Sequence, residues 1–288
     1  MADVLVSGLD FGEGPRWREG RLWYSDFYRK AVFSTDLEGN ETRVCDVPTQ
    51  PSGLGWLPDG RLLVVAMTDR RVLRLEASGE LVTHGDLSSI ASFHANDMLV
   101  APSGHAWVGN FGFDLHAMLE QMEVPEAVAL VHAAPGKYVA QLAHVAPDGT
   151  ATPAGVPMLF PNGMVLSESG ATLYVNETVA FRIQAYDVAA DGALSNPRTH
   201  AAFDPAHGIA PDGLSAGPDG GLFVAPALVP EVLQLDATGA IVARHACSQL
   251  VFAVAWDGGS NLFAMTAPSS EPRFVDGKGL GKIERIQL

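Results

Sequence analysis

A two-strand pattern recurs six times along the chain and constrains the fold more than any other feature. Each copy is a short apolar run, a turn rich in Asp, Gly or Ser, and a second apolar run, which predicts a β-hairpin. The copies are EGPRWREGRLWYSD, SGLGWLPDGRLLVVA, NDMLVAPSGHAWVGN, NGMVLSESGATLYVN, DGLSAGPDGGLFVAP and FAVAWDGGSNLFAMT, which begin at Glu13, Ser52, Asn96, Asn162, Asp212 and Phe252.

A second hairpin follows each of the first five copies, as in VFSTDLEGNETRV and VLQLDATGAIVAR. The sixth copy ends on IERIQL with no partner strand after it, and DVLVSG near the N-terminus is predicted to supply that partner. Four strands in each of six repeats predict an all-β fold, a six-bladed β-propeller of antiparallel blades. Residues 1–288 would form a single domain whose N-terminal strand closes the last blade. A solenoid is the alternative, but solenoids cap their ends rather than joining them.

Charge and hydropathy limit the partners. The formal net charge is −15, which argues against nucleic acid because nucleic acid requires a basic face. The N-terminus has no basic region followed by an apolar run, and no apolar run is long enough to span a bilayer. Cys45 and Cys247 belong to no metal or redox motif. We therefore expect a cytoplasmic protein without membrane partners, whose oligomeric state the sequence leaves open.

The first residues of the six copies are predicted to meet at one mouth of the propeller axis, because the innermost strand of each blade lines that axis. Four of them carry side-chain oxygens that suit metal binding, and no lysine or arginine is among the six. Buried carboxylates need compensation, which a divalent cation provides together with amide oxygens. The alternative is that these residues only serve turns. The predicted metal ligands are Glu13, Asn96, Asn162 and Asp212.

These motifs resemble the SMP-30/gluconolactonase/luciferin-regenerating enzyme family of six-bladed propeller hydrolases. The resemblance covers essentially the whole chain and lies in EGPRW, NDMLVAPSGHAWVGNFG, FPNGMVLSESGATLYVNET and APDGLSAGPDGGLFVA. It implies one divalent metal, most often calcium with zinc, manganese, magnesium or iron as alternatives, on Glu13, Asn162 and Asp212. The related organophosphate-hydrolysing propellers add Asn96. The resemblance also implies hydrolysis of sugar lactones, with Asp212 as the base and Asn96 as its catalytic partner.

One departure from the family concerns the substrate. Sugar lactonases often carry an arginine where this chain has His94, and a substrate-contacting acid would fall near Asp114. Phe113 and Glu177 also follow second strands on the predicted metal face, so these four residues are the candidate substrate contacts. The G-x-S-x-G motif at Ser215 lies inside a repeat strand with no helix after it, which excludes a nucleophile elbow.

An insertion between the second and third strands of blade three, residues 114–137, lies on the predicted metal face. Apolar residues at helical spacing, Leu115, Met118, Leu119 and Met122, favour an apolar lid over a functionless surface loop. Such a lid suits a small-molecule lactone or ester less polar than a bare sugar lactone. A metal-dependent lactonase is the first functional hypothesis. A phosphotriesterase on the same metal site and a non-catalytic, metal-binding interaction propeller are the alternatives.

Overall fold

The computed structural model describes residues 2–288, which form six four-stranded antiparallel sheets. The first three sheets in chain order are blades one, two and three. Blade one consists of β2 (Gly12–Arg18), β3 (Arg21–Asp26), β4 (Ala31–Thr35) and β5 (Glu41–Asp46). Blade two consists of β6 (Pro51–Trp56), β7 (Leu62–Ala66), β8 (Arg71–Leu75) and β9 (Leu81–Asp86). Blade three consists of β10 (Ala95–Val100), β11 (Ala106–Asn110), β12 (Ala140–Val145) and β13 (Ala151–Met158).

Blades four, five and six complete the set of sheets. Blade four consists of β14 (Pro161–Leu166), β15 (Thr172–Glu177), β16 (Arg182–Val188) and β17 (Leu194–Ala202). Blade five consists of β18 (Leu214–Ala216), β19 (Leu222–Val224), β20 (Glu231–Leu235) and β21 (Ile241–Ala246). Blade six consists of β22 (Leu250–Trp256), β23 (Asn261–Ala267), β24 (Gly281–Gln287) and β1 (Asp3–Leu9).

The six blades form a closed ring. The first strand of each blade contacts the first strand of the next, and β22 contacts β2. In blade six β1 runs antiparallel to β24, with Asp3 opposite Arg285 and Leu9 opposite Gly281. The fold is therefore the predicted six-bladed β-propeller, and the predicted closure by the N-terminal strand is confirmed.

The inner strands are apolar because both faces of a blade pack against neighbouring blades. All five residues of β7, with the sequence LLVVA, are buried, and each fully buried valine or leucine contributes roughly 1.5–3 kcal/mol. The outer strands differ: β5 and β21 contain only exposed and half-buried residues and carry charges. Charged outer strands discourage pairing with other chains at the exposed sheet edges.

Helices occur mainly in the two longer connections. Between β11 and β12 lie α1 (Leu115–Leu119), α2 (Val124–Ala133) and α3 (Pro135–Tyr138), and α4 (Pro272–Val275) lies between β23 and β24. Short 3₁₀ helices span Pro205–His207 and Pro218–Gly220. No helix within residues 2–288 combines the length and the apolar character needed to cross a bilayer.

Candidate metal centre and substrate cavity

A cavity of about 540 Å³ opens at one mouth of the ring. Its lining includes all four predicted metal ligands, Glu13, Asn96, Asn162 and Asp212, and each of these residues is at least nine-tenths buried. They come from blades one, three, four and five. The structure thus brings the four together, and metal binding by them remains a prediction.

The same local geometry positions three of these side chains. Glu13, Asn96 and Asn162 are each the second residue of a blade's first strand. A register shift against the second strand follows immediately in all three blades. Such irregularities redirect side chains. Here neighbouring residues of one strand, such as Asn96 and Asp97, both face the axis, one above the other, instead of alternating between two faces. Asp212 lies two residues before β18.

A chain of hydrogen bonds joins the two amides to neighbouring blades. Ser52 Oγ donates to Asn96 Oδ1 at 2.7 Å, and Asn96 Nδ2 donates to Asn162 Oδ1 at 3.1 Å. Asn162 Nδ2 then donates to Thr178 Oγ1 at 3.2 Å, and that hydroxyl donates to the Pro211 carbonyl at 2.8 Å. Four blades are therefore connected at the cavity floor, and the connection ends beside Asp212.

The backbone that carries Asp212 is held from three directions. Its N–H donates to the Ala225 carbonyl at 2.8 Å, and its carbonyl accepts from the Gly163 N–H at 2.9 Å. Asn176 Nδ2 also donates to the Asp212 carbonyl at 2.7 Å. These three hydrogen bonds fix the backbone from which the Asp212 carboxylate reaches the cavity.

Gly14 explains the EGP sequence next to Glu13. Its φ is +56°, and a Cβ at this position would lie 2.8 Å from the Ser52 carbonyl oxygen. A side chain would therefore meet both an unfavourable backbone conformation and a clash. The Gly14 N–H donates to Glu13 Oε2 at 3.1 Å, which helps to hold the carboxylate.

The carboxylates at this mouth repel one another. The pKa of Glu13 is raised well above its usual range by burial and then by the charges of Asp212 and Asp97. Burial and Asp97 likewise raise the pKa of Asp212, and the Asn162 amide opposes that rise. Burial raises the pKa of Asp97 to about 6 against the attraction of Arg16. The Arg16 guanidinium itself donates to backbone carbonyls, Pro15 at 2.8 Å and Met98 at 2.6 Å.

Asp97 and Arg16 were not recognised from the sequence. Both line a void of about 10 Å³ on the axis, formed by the residues that follow the floor residues on the same strands. This volume is at the lower limit for one water molecule, so the axis is nearly closed beneath the floor. Adjacency to Asn96 was the available signal for Asp97, because the register shift turns neighbouring residues toward the same axis.

The donor set fits a hard divalent cation. Two carboxylates and two amides offer only oxygen ligands of the kind that calcium prefers, and the residues that line the cavity, all within 2–288, include no lysine or arginine. The repulsion between Glu13 and Asp212 is the kind of unfavourable charge that such an ion would neutralise. Across residues 2–288, no three or more His, Cys, Asp and Glu side chains cluster as a metal site, so the fit depends on the amides.

The cavity walls are mostly apolar, and part of them comes from the two longer connections, between β11 and β12 and between β23 and β24. Residues of α1 and α2 line one side, and Ser270 and Pro272 of the blade-six connection also contribute. Phe111 stacks on Phe160 with ring centroids 4.5 Å apart, and Phe11 packs on Phe252 at 4.9 Å. All four of these rings line the cavity.

Two of the four predicted substrate contacts line the cavity. His94 is half-buried there, and burial lowers its pKa even though Asp114 opposes the change. Burial therefore favours the neutral form of the His94 imidazole. Asp114 lines the cavity as well, and its Oδ1 caps α1 by accepting from the Ala117 N–H at 2.9 Å.

The other two, Phe113 and Glu177, do not line the cavity. Phe113 packs behind Phe160, with the Tyr138 ring on its other side. Glu177 is buried, and its carboxylate accepts from Arg182 Nε and from the Leu159 N–H, both at 2.6 Å. These bonds fix the segment that leads to Asn162, which gives Glu177 a structural task. Contact of Phe113 and Glu177 with the substrate stays a prediction.

Several proteins of known structure share this architecture. A gluconolactonase of Xanthomonas campestris superposes with a TM-score of 0.75 at 20% identity, over 99% of this chain and 88% of that one. Regucalcin of Agrobacterium tumefaciens, described as a calcium-binding protein, gives 0.77 at 20% identity, over 99% and 92%. A luciferin-regenerating enzyme gives 0.79 at 18% identity, over 100% and 95%. At these identities the likeness shows the fold alone.

Family membership comes from the sequence model of the SMP-30/gluconolactonase/LRE-like region, which matches residues 11–267. The matched span runs from the start of blade one into blade six and contains all four floor residues. The chain therefore belongs to the SMP-30/gluconolactonase/LRE-like family.

Proposed function

We propose that this protein is a divalent-metal-dependent hydrolase that opens a lactone ring. The observation that carries the proposal is the buried pair of carboxylates, Glu13 and Asp212, at the floor of an apolar cavity that no lysine or arginine lines. Ester hydrolysis requires a polarised carbonyl and an activated water in a site that excludes bulk solvent. The family description and the gluconolactonase among the structural relatives favour a lactone over an open-chain ester.

Glu13, Asn96, Asn162 and Asp212 would hold the cation. Calcium is our first choice because all the donors are oxygens, and a structural relative is described as calcium-binding. Zinc, manganese, magnesium and iron are the other candidates. When bound, the ion would act as a Lewis acid that polarises the lactone carbonyl.

Asp212 has the position of a general base. Its carboxylate lines the cavity while its backbone is held by three hydrogen bonds. Asp212 would take a proton from the attacking water as the water oxygen bonds to the carbonyl carbon. It would return that proton to the ring oxygen when the acyl–oxygen bond breaks, which leaves a hydroxy acid.

The remaining residues would prepare the site. Asn96 and Asn162 orient each other by their direct hydrogen bond. The aromatic walls and α2 exclude water around the ester, and His94 and Asp114 are available for contact with the substrate. Preorganised polar groups in a dry cavity act more strongly than the same groups in water.

Purified protein tests this proposal. Metal analysis should find about one divalent ion per chain, and a pH-stat assay should detect opening of δ-valerolactone that is lost with a chelator and restored by calcium. Asp212→Asn should lower kcat by at least about 100-fold, as expected for loss of a general base. The control Asp3→Asn changes an exposed carboxylate on β1 and should retain full activity. Hydrolysis that survives both the chelator and Asp212→Asn would refute the proposal.

A phosphotriesterase is the second candidate, since the apolar walls and the Asn96 donor also suit a neutral phosphorus ester. The ratio of kcat/KM for a lactone to that for a dialkyl aryl phosphate separates the two activities. Metal binding with no hydrolysis of either substrate would instead favour the non-catalytic interaction propeller.

A further inference from the structure

Polar and apolar groups are separated within the cavity. The floor carries Glu13, Asn96, Asn162 and Asp212, whereas the walls are built mainly from aromatic and aliphatic side chains. The walls come from independent parts of the fold. Phe11 and Phe252 belong to blades one and six, Phe111 and Phe160 to blades three and four, and Val128 to α2. These wall elements are far apart in the chain, so the apolar surface surrounds the floor on several sides.

Several polar groups on the walls already have hydrogen-bond partners within the protein. Tyr28 Oη donates to the Ser270 carbonyl at 3.3 Å, Asp114 caps α1, and Thr178 bonds to Asn162 and Pro211. The other polar wall residues, Gln50, His94, His116, Glu120 and Ser270, are half-buried or exposed. Sugar hydroxyls placed against the aromatic and aliphatic walls would lose water without gaining partners, which disfavours their binding.

Charge in the cavity disfavours anions. Its acidic lining groups are Glu13, Asp114, Glu120 and Asp212. The lining residues, all within 2–288, include neither lysine nor arginine. A bound cation would balance Glu13 and Asp212, whereas Asp114 and Glu120 would still repel a lactone that carries phosphate or a second carboxylate.

The mouth is apolar as well. Val124 and Leu228 line the cavity, yet they are 40% and 43% exposed to solvent. The cavity volume of about 540 Å³ lies within the range of roughly 300–1,000 Å³ that holds drug-sized ligands. Val124 and Leu228 thus extend the apolar lining toward solvent.

From these features we infer that the substrate is an uncharged lactone whose ring carries an apolar alkyl or aryl group. The ester would lie at the floor, and the apolar group would lie against α2 and the aromatic walls. The inference rests on the proposed function and makes it narrower, because it excludes aldonolactones and their phosphates as the best substrates.

The first experiment measures kcat/KM of the metal-loaded protein for four kinds of substrate. These are δ-valerolactone, a series of δ-lactones with alkyl chains of increasing length, glucono-δ-lactone and the phosphate ester of glucono-δ-lactone. Each methylene that becomes buried should raise kcat/KM about fourfold, equivalent to about 0.8 kcal/mol, until the chain fills the cavity. Glucono-δ-lactone should be at least tenfold poorer than the best alkyl lactone, and its phosphate poorer still.

Substitutions at two positions of α2 test whether the apolar group of the substrate binds against this helix. Val128 is half-buried on the cavity side of α2, whereas Leu130 is 40% exposed and does not line the cavity. Val128→Asn should lower the ratio of kcat/KM for the alkyl lactone over δ-valerolactone by about tenfold, and Leu130→Asn should leave this ratio within twofold of the wild-type value. Val128→Phe, which keeps the wall apolar but fills space, should shorten the longest chain that is accepted.

A binding measurement separates the inference from the proposed function. An alkyl δ-lactam resists hydrolysis, so calorimetry reports its Kd whether or not the protein is active. Affinity should increase with chain length in the wild type, and Val128→Asn should weaken it. If this trend is found and no lactone is opened, the proposed function is wrong but the apolar specificity of the cavity stands.

The opposite results would overturn the inference alone. If glucono-δ-lactone is opened as fast as the alkyl lactones, or lactam affinity is independent of chain length, the cavity does not select an apolar group. Lactonase activity on δ-valerolactone would still support the proposed function in that case.

Discussion

Asn96 Nδ2 donates a hydrogen bond of 3.1 Å to Asn162 Oδ1, so two predicted metal ligands from different blades orient each other directly. The amide of Asn162 is held on its other side by Thr178, which in turn bonds to the Pro211 carbonyl next to Asp212. The ligand geometry therefore depends on a hydroxyl that would not itself hold the ion.

Thr178→Val tests this dependence because it keeps the shape of the side chain and removes both hydrogen bonds. We expect metal affinity or kcat/KM to fall by about 10- to 100-fold, as is typical when a partner of a metal ligand is lost. Thr199→Val, on the exposed outer strand β17, is the matched control. Calorimetric titration with calcium and the lactone assay measure the two effects. Equal behaviour of the two variants would show that Thr178 does not support the site.

Glu13→Gln should have opposite effects with and without metal. In the metal-free protein it removes a buried charge that Asp212 and Asp97 repel, so the free energy of unfolding should increase by about 1 kcal/mol or more. In the presence of calcium the variant should be less stable than the wild type, because calcium affinity falls at least about tenfold. Thermal unfolding in chelator and in calcium measures both, with Glu80→Gln at an exposed turn as the control. A variant that destabilises equally under both conditions would contradict the metal assignment.

The ion pair of Glu41 makes stability depend on pH. Partial burial alone would raise the pKa of Glu41, but hydrogen bonds from Arg29 and Tyr24 outweigh it and lower that pKa. A lowered folded-state pKa means that the stabilisation is present above the unfolded value of about 4.5 and is lost as the pH falls through the folded-state pKa. Wild type should therefore exceed Glu41→Gln in Tm at pH 7 by about 2 °C, and the gap should shrink progressively as the pH is lowered below about 4.5. A gap that is constant or widens in acid would rule this out.

Gly14→Ala should destabilise the protein more than Gly20→Ala. Both glycines have positive φ, +56° and +75°, but only a Cβ at Gly14 would collide with a carbonyl oxygen, whereas Gly20 has open space. We expect Gly20→Ala to cost about 1 kcal/mol and Gly14→Ala about 2–4 kcal/mol. Urea denaturation of the metal-free proteins measures the difference without a contribution from the ion. Similar costs would mean that the backbone at Ser52 moves to accommodate the methyl group.

The fold was predictable because the inner strands are largely buried on both faces and therefore contain short apolar runs, such as LLVVA in β7. Repetition of that run then gave the blade count. It also aligned Glu13 with Asn96, Asn162 and Asp212, whose positions in the sequence show no mutual relation without the repeat.

Side-chain direction at the axis was less predictable. Regular strand alternation would turn Asp97 away from the side that Asn96 faces, but the register shift between Ala95 and Met98 places both along the axis. Thr178 lies just beyond the end of β15, where the repeat gives no information. Glu177 is at the end of its second strand, as the repeat predicts. Its carboxylate accepts a hydrogen bond from Arg182 and does not line the cavity.

The insertion was predicted as an apolar lid from helical spacing near its start, and the structure has three helices there. The second is the longest, and its cavity-lining residues Val124, Ala127, Val128 and Val131 follow the i, i+3, i+4, i+7 pattern. That spacing is typical of one helix face. It is the sequence signal from which α2 could have been predicted. A capping box between Glu123 and Glu126 fixes where the helix begins.

The closure of blade six also determines the order in which the protein assembles. The pairing of Asp3 with Arg285 joins segments separated by nearly the whole chain, so it is the least local contact of the fold and should form last during folding. Until β1 pairs, blade six has only three of its four strands. A cation bound by Glu13 and Asp212 would link blades one and five, which lie on either side of blade six. Strand closure and metal loading should therefore be cooperative events in folding, each accelerating or stabilising the other.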